Sequence, residues 1–181
     1  MDSLKTYWEN VKGFGIWYRR YMYYYFSFSR HELRLPSPSQ HVSIKMQALK
    51  SNDLEAIQKA LFDGKWKVDD IASINNMTTM LHEAVVMDRR DIASFLLRQG
   101  ANPNIRDRNG MTPLLKAAAL GREYMIIELI RAGADLEHKD PNGFTPLEKA
   151  VLHEEWKTAE LLKSVKSYVK TQSTWKWPPD I

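Results

Sequence analysis

Three threonines, Thr79, Thr112 and Thr145, stand 33 residues apart, and each opens a segment of the same character. Thr79-Met80-Leu81-His82-Glu83-Ala84 is followed by Thr112-Pro113-Leu114-Leu115-Lys116-Ala117 and by Thr145-Pro146-Leu147-Glu148-Lys149-Ala150. The match extends both ways at the same spacing. Gly100-Ala101-Asn102 answers Gly133-Ala134-Asp135, Leu96 answers Leu129 and Leu162, and Asp107-Arg108-Asn109-Gly110 answers Asp140-Pro141-Asn142-Gly143. A period kept at several independent positions marks a repeated supersecondary unit, so the chain is read as a stack of such units.

Each residue type has a mechanical reason to recur. Thr112 and Thr145 suit the N-cap, where a hydroxyl accepts from an orphan N–H of the first turn. Pro113 and Pro146 follow at the first helical position, where a missing N–H costs nothing. Leu114, Ala117 and Ala118 then share one face of a short helix, and the alanines allow close approach of a neighbour. A second helix is expected from about Arg122 to Arg131, with Met125, Ile126, Leu129 and Ile130 at helical spacing, stopped by Gly133 in a positive-φ conformation. The Asn-Gly pairs at 109–110 and 142–143 suit a tight turn between units.

These residues resemble the ankyrin-repeat family, whose unit carries a Thr-Pro-Leu-His-x-Ala signature. The resemblance covers roughly residues 43 to 165. It implies an all-α solenoid of stacked helix pairs with projecting β-turn fingers, and a concave binding surface made by the fingers and first helices. Asp53 to Gly64 reads as the second helix of a degenerate first repeat, and an insertion of about three residues falls in the Lys65–Met77 connection. Only His82 keeps the family histidine, Leu115 and Glu148 replacing it, while Met80 replaces the usual proline and Lys166 the last glycine. Such degeneracy is expected of terminal repeats, which present a polar outer face.

The two ends read differently from the body. Leu4, Tyr7, Val11, Phe14, Tyr18, Tyr21, Tyr25 and Phe28 recur in steps of three and four, predicting an aromatic amphipathic helix over residues 1–35. Leu35-Pro36-Ser37-Pro38-Ser39 starts an expected linker over 36–42. Repeats are then expected over 43–170, divided as 43–76, 77–109, 110–142 and 143–170. Trp175-Lys176-Trp177-Pro178-Pro179 predicts an extended C-terminal arm over 171–181 that docks on a surface, because exposing both indoles is unfavourable. Residues 1–42 carry six Lys/Arg against three Asp/Glu and residues 163–181 four against one, so basic ends flank a slightly acidic body.

The expected function is binding by a protein–protein interaction or scaffold subunit of a larger complex. Family geometry implies a concave surface of Asn75, Asn76 and Thr78, then Arg108, Asn109 and Met111, then Pro141, Asn142 and Phe144. First helices add Val86, Met87, Ala119, Leu120, Leu152 and His153, which makes the surface unusually apolar and suited to a partner's helix or extended segment. The aromatic N-terminal segment is the alternative occupant. In the extensions, Trp17, Arg19, Arg20, Tyr24, Trp175 and Trp177 are the candidate partner contacts. Interleaved with Lys12, Lys170 and Lys176, they give the second expectation, a ribonucleoprotein or membrane-associated assembly, mitochondrial for example.

No catalytic residue, cofactor, metal site or small-molecule substrate is expected. The chain has no cysteine, its histidines lack metal-ligand spacing, and no phosphate loop, dinucleotide fingerprint or nucleophile elbow is present. His82 reads as structural, and His153-Glu154-Glu155 as a solvated helix end. No stretch reads as a secretory signal, and the aromatic run Phe14 to Phe28 is broken by Arg19 and Arg20 and too short to span a bilayer, so an intracellular site, cytoplasmic or mitochondrial, is expected.

Overall fold

The computed structural model describes residues 38–171. The expected aromatic helix and nearly all of the expected arm lie outside the described residues. Within them the chain forms eight helices and one small hairpin. The helices are α1 (Pro38–Ser51), α2 (Leu54–Phe62), α3 (Met80–Val86), α4 (Arg90–Arg98), α5 (Pro113–Ala119), α6 (Glu123–Arg131), α7 (Pro146–Leu152) and α8 (Trp156–Thr171). Strands β1 (Ile71–Ser73) and β2 (Thr78–Thr79) pair antiparallel between α2 and α3, with Ile71 opposite Thr79 and Ser73 opposite Thr78.

Helices α1, α3, α5 and α7 stack in one row, each touching the next, and each packs on its partner from the second row: α2, α4, α6 or α8. This is the solenoid that the 33-residue period demands. Its core is one continuous file of small and branched side chains: Leu49, Leu81, Ala84, Val85, Leu114, Ala117, Ala118 and Ala150 from the first row, and Ile57, Ile92, Leu96, Met125, Ile126, Leu129 and Leu162 from the second. Alanines at 84, 117 and 150 keep neighbouring first helices close.

The caps form as the threonines predict. Thr79, Thr112 and Thr145 accept from the backbone N–H of His82, Leu115 and Glu148 respectively. Thr112→Ala removes one such acceptor from a buried helix start, so urea unfolding should show a loss of about 1 kcal/mol at unchanged m-value. Gly100 and Gly133 end α4 and α6 at φ of +84° and +86°. Where Met80 replaces proline, its N–H is not wasted: it donates to the carbonyl of Asp70 beside β1.

Neighbouring repeats are also tied by long side chains. Arg89 donates from Nε to the Leu49 carbonyl at 3.1 Å and from Nη2 to the Lys50 carbonyl at 2.6 Å, closing the end of α1. Asn104 bridges forward, donating to the Gly133 carbonyl and accepting from the Asp135 N–H. Lys45, buried under the Trp66 ring, pairs with Asp70 at 2.6 Å.

Two expectations need correction. Residues 38–42 are helical, not linker, because Pro38 occupies the first position of a helix, where proline gives up no hydrogen bond. Thr171 likewise belongs to α8 and not to the arm. As expected, Leu54–Phe62 forms the second helix of the degenerate first repeat, and the inserted connection after it holds the β1–β2 hairpin and the buried Trp66.

Candidate binding surface

Two fingers of identical construction project between α4 and α5 and between α6 and α7. In the first, Asp107 Oδ1 accepts from the N–H groups of Asn109 and Met111, and Asp107 N–H returns a bond to the Met111 carbonyl. In the second, Asp140 does the same with Asn142 and Phe144. The other carboxylate oxygen meets a lysine from the following helix: Lys116 at 2.8 Å for Asp107 and Lys149 at 2.8 Å for Asp140. Burial alone would raise the Asp140 carboxyl, but the Lys149 ammonium and the two backbone N–H groups outweigh it and hold it below the usual carboxylate range.

His82 fastens one finger to the neighbouring repeat. Its Nδ1 accepts from Thr79, closing a capping box, while Nε2–H donates to the Met111 carbonyl at 3.1 Å. The ring is neutral: burial pulls its pKa down to about 4 despite the Met111 carbonyl, and Lys116 lowers it further. Glu148 at the equivalent position closes the same box on Thr145 with its carboxylate. Leu115 between them is simply buried.

On this frame the expected surface residues fall as follows. Arg108, Asn109 and Asn142 are exposed at the finger turns. Arg108 also links two fingers, its backbone N–H donating to the Asn76 carbonyl at 2.8 Å and its guanidinium reaching the Asn75 carbonyl. Met111 and Phe144 are half-buried at the finger bases, and the Lys149 ammonium lies 6.0 Å over the Phe144 ring. Leu120 and Leu152, at the ends of α5 and α7, are exposed, as is Val86 at the end of α3. Met87 is half-buried against the core.

Thr78 does not belong to the surface. It is buried in β2 and its hydroxyl bonds Glu83, because the hairpin turns it inward. Trp17, Arg19, Arg20, Tyr24, Trp175 and Trp177 lie outside the described residues.

The structure adds a second surface that the sequence reading did not name. At the C-terminal end of the stack, Phe144, Leu147, Val151, Leu152, Trp156 and Ala159 line an open groove of about 760 Å³, rimmed by Glu148, Glu160 and Lys163. The signal was available in the repeat register: Trp156 takes the place of the charged Arg90 and Glu123. Among the described residues no helix is long and apolar enough to cross a membrane, and no group of His, Cys, Asp and Glu is placed to hold a metal ion.

A stacked array of helix pairs with hydrogen-bonded fingers defines a repeat module of the kind that mediates protein–protein interaction. The chain belongs to the ankyrin-repeat family: the profile for ankyrin repeats in three copies matches residues 96–173, and that for the single ankyrin repeat matches residues 76–108. It is also similar to the human 2-5A-dependent ribonuclease, with 38% identity over 82 residues, or 42% of this chain. The chain spans only 10% of that relative's length, and the shared part is repeat sequence.

Proposed function

We propose that the chain is a non-catalytic scaffold or adaptor subunit of a larger intracellular complex, and that its finger-and-first-helix face grips a helix or extended segment of a protein partner. One observation carries this reading: exposed apolar side chains, Val86, Leu120 and Leu152, recur at the ends of successive first helices beside fingers locked in place by Asp107 and Asp140. A surface already rigid before binding loses little entropy when it binds, which favours recognition over induced folding. The ribonucleoprotein and membrane readings rest on the basic aromatic ends, of which Lys170 alone lies among the described residues.

The test is affinity capture from the native source with the full chain as bait, followed by crosslink mapping on the recovered complex. Leu120→Glu should weaken partner binding at least about tenfold, since a charge replaces an apolar contact at the centre of the face. Phe62→Glu, on α2 of the opposite row, should leave binding unchanged. The reading fails if crosslinks fall on the second row or if Leu120→Glu binds like wild type.

A further inference from the structure

The β1–β2 hairpin forms a first finger that departs from the other two at its turn. Asn76-Met77 stands where the later fingers carry Asn109-Gly110 and Asn142-Gly143. Gly110 and Gly143 turn in the left-handed region at φ of +70° and +88°, and Met77 occupies the same region at +54°. A residue with a Cβ is disfavoured there, and glycine is not. Asn52, Asp88 and Glu154 share the region, but they stand in the short links between the helices of a pair. Met77 therefore keeps a long side chain, at a cost to folding, where the repeat otherwise uses glycine. Strain retained on a binding surface points to a role in that surface.

The direction of the side chain follows from the next finger. A Cβ placed on Gly110 would lie 2.9 Å from Pro141 Cγ, so this position of one finger faces the residue before the turn asparagine of the next. One repeat earlier the corresponding pair is Met77 and Arg108. Arg108 is tied to the same turn twice: its backbone N–H donates to the Asn76 carbonyl at 2.8 Å, and Nη1 donates to the Asn75 carbonyl at 3.4 Å. Its stem thus runs back across the turn that Met77 ends. Pro141 lacks the N–H for the equivalent backbone bond, so this link belongs to the first two fingers.

We propose that Met77 is a positioning residue of the binding face: its side chain lies along the Arg108 stem and fixes the guanidinium for a partner. An unbranched thioether suits contact with a long aliphatic stem. An arginine ordered before binding loses less rotamer freedom when the partner meets it. The role of Arg108 as a partner contact rests on the functional reading above, and its fixation by Met77 does not.

The test compares Met77→Ala, Met77→Gly and Met77→Leu in the full-length chain by the heteronuclear NOE of the Arg108 Nε–H group. That group should be as rigid as the backbone in the wild type, mobile in the alanine and glycine variants, and rigid again in Met77→Leu. The Arg108 amide, bonded to Asn76, should keep its exchange protection throughout. In urea the folded-to-unfolded ratio of Met77→Gly should exceed that of Met77→Ala about threefold, because both lose the side chain and glycine alone relieves the backbone. Met77→Ala should bind the protein captured by the wild-type chain about fivefold more weakly. The proposal is overturned if the Arg108 guanidinium is mobile in the wild type, stays rigid in Met77→Ala, or is as mobile in Met77→Leu as in Met77→Ala. Loss of the Arg108 amide protection in Met77→Ala overturns it by reducing Met77 to a support of the turn, and equal stability of the alanine and glycine variants removes the strain on which it stands. Weakened binding in Leu120→Glu with none in Met77→Ala overturns the part in recognition and spares the functional reading. If both variants bind like wild type, the functional reading fails, and the rigidity of Arg108 still decides the fixation.

Discussion

Taking the protein from pH 7.5 to pH 4.5 should remove about 2.5 kcal/mol of folding stability through His82 alone. The imidazole is buried and neutral in the stack, with its pKa depressed to about 4, while in the unfolded chain it returns to about 6.5. Between those values the unfolded chain binds the extra proton, so stability is full above pH 6.5 and falls by about 1.4 kcal/mol per pH unit until the folded ring titrates. Proton uptake on the folded ring would also replace the Nδ1 acceptor used by Thr79 with a donor. Urea melts across this range test the slope. His82→Leu, which copies the buried Leu115 of the next repeat, should melt earlier at neutral pH and show a much flatter pH dependence. Carboxyls held low, such as Asp140, also lose stability in acid, and the variant curve contains their share. An unchanged slope in His82→Leu would remove the histidine from the account.

Asp107→Ala should be the most damaging single change at a finger, by about 3 kcal/mol at neutral pH. The carboxylate is fully buried, accepts two backbone N–H groups and pairs with Lys116. Alanine strands both N–H groups and leaves the ammonium, itself 18% exposed, without its anion. Asp107→Asn divides the effect, since an amide oxygen can still accept the two N–H groups while the ion pair is gone. Its cost should be about half as large. If both variants melt alike, the turn hydrogen bonds contribute little and the ion pair carries the effect. Partner binding through Arg108 and Asn109 should weaken in Asp107→Ala even where the stack remains folded, because the turn that holds them loses its anchor.

The repeat was legible because its physics is local. Threonine, proline and a small apolar face within six residues state a helix start regardless of the neighbours, and the period then states the stacking. What escaped depends on groups far apart in the chain or on what is absent. Asp107 with Lys116 and Asp140 with Lys149 recur in perfect register, but nine residues is no helical or strand spacing, so the pair exists only once the finger folds back. The Pro36-Ser37-Pro38 sequence signals a break, and nothing local tells that Pro38 opens a helix. Val151 is an ordinary interior residue by type, and its exposure follows from the missing neighbour alone.

The histidine position makes the same point from the other side. His82, Leu115 and Glu148 look like erosion of a motif when read in line. In the fold, His82 has a following finger to hold and spends Nε2 on it, while Glu148 belongs to the last repeat and keeps only the capping role.

Helix α8 has 16 residues where α2, α4 and α6 have nine each. The glycine that would have halted it is Lys166, which instead reaches Glu137 at 2.7 Å. The seven additional residues carry the backbone about 10 Å past the point at which earlier units swing round to start a finger. At Thr171 the chain is still travelling along the helix axis, where each earlier unit has already turned toward its finger. One residue type at one register position thus separates a unit that turns back from one that runs on.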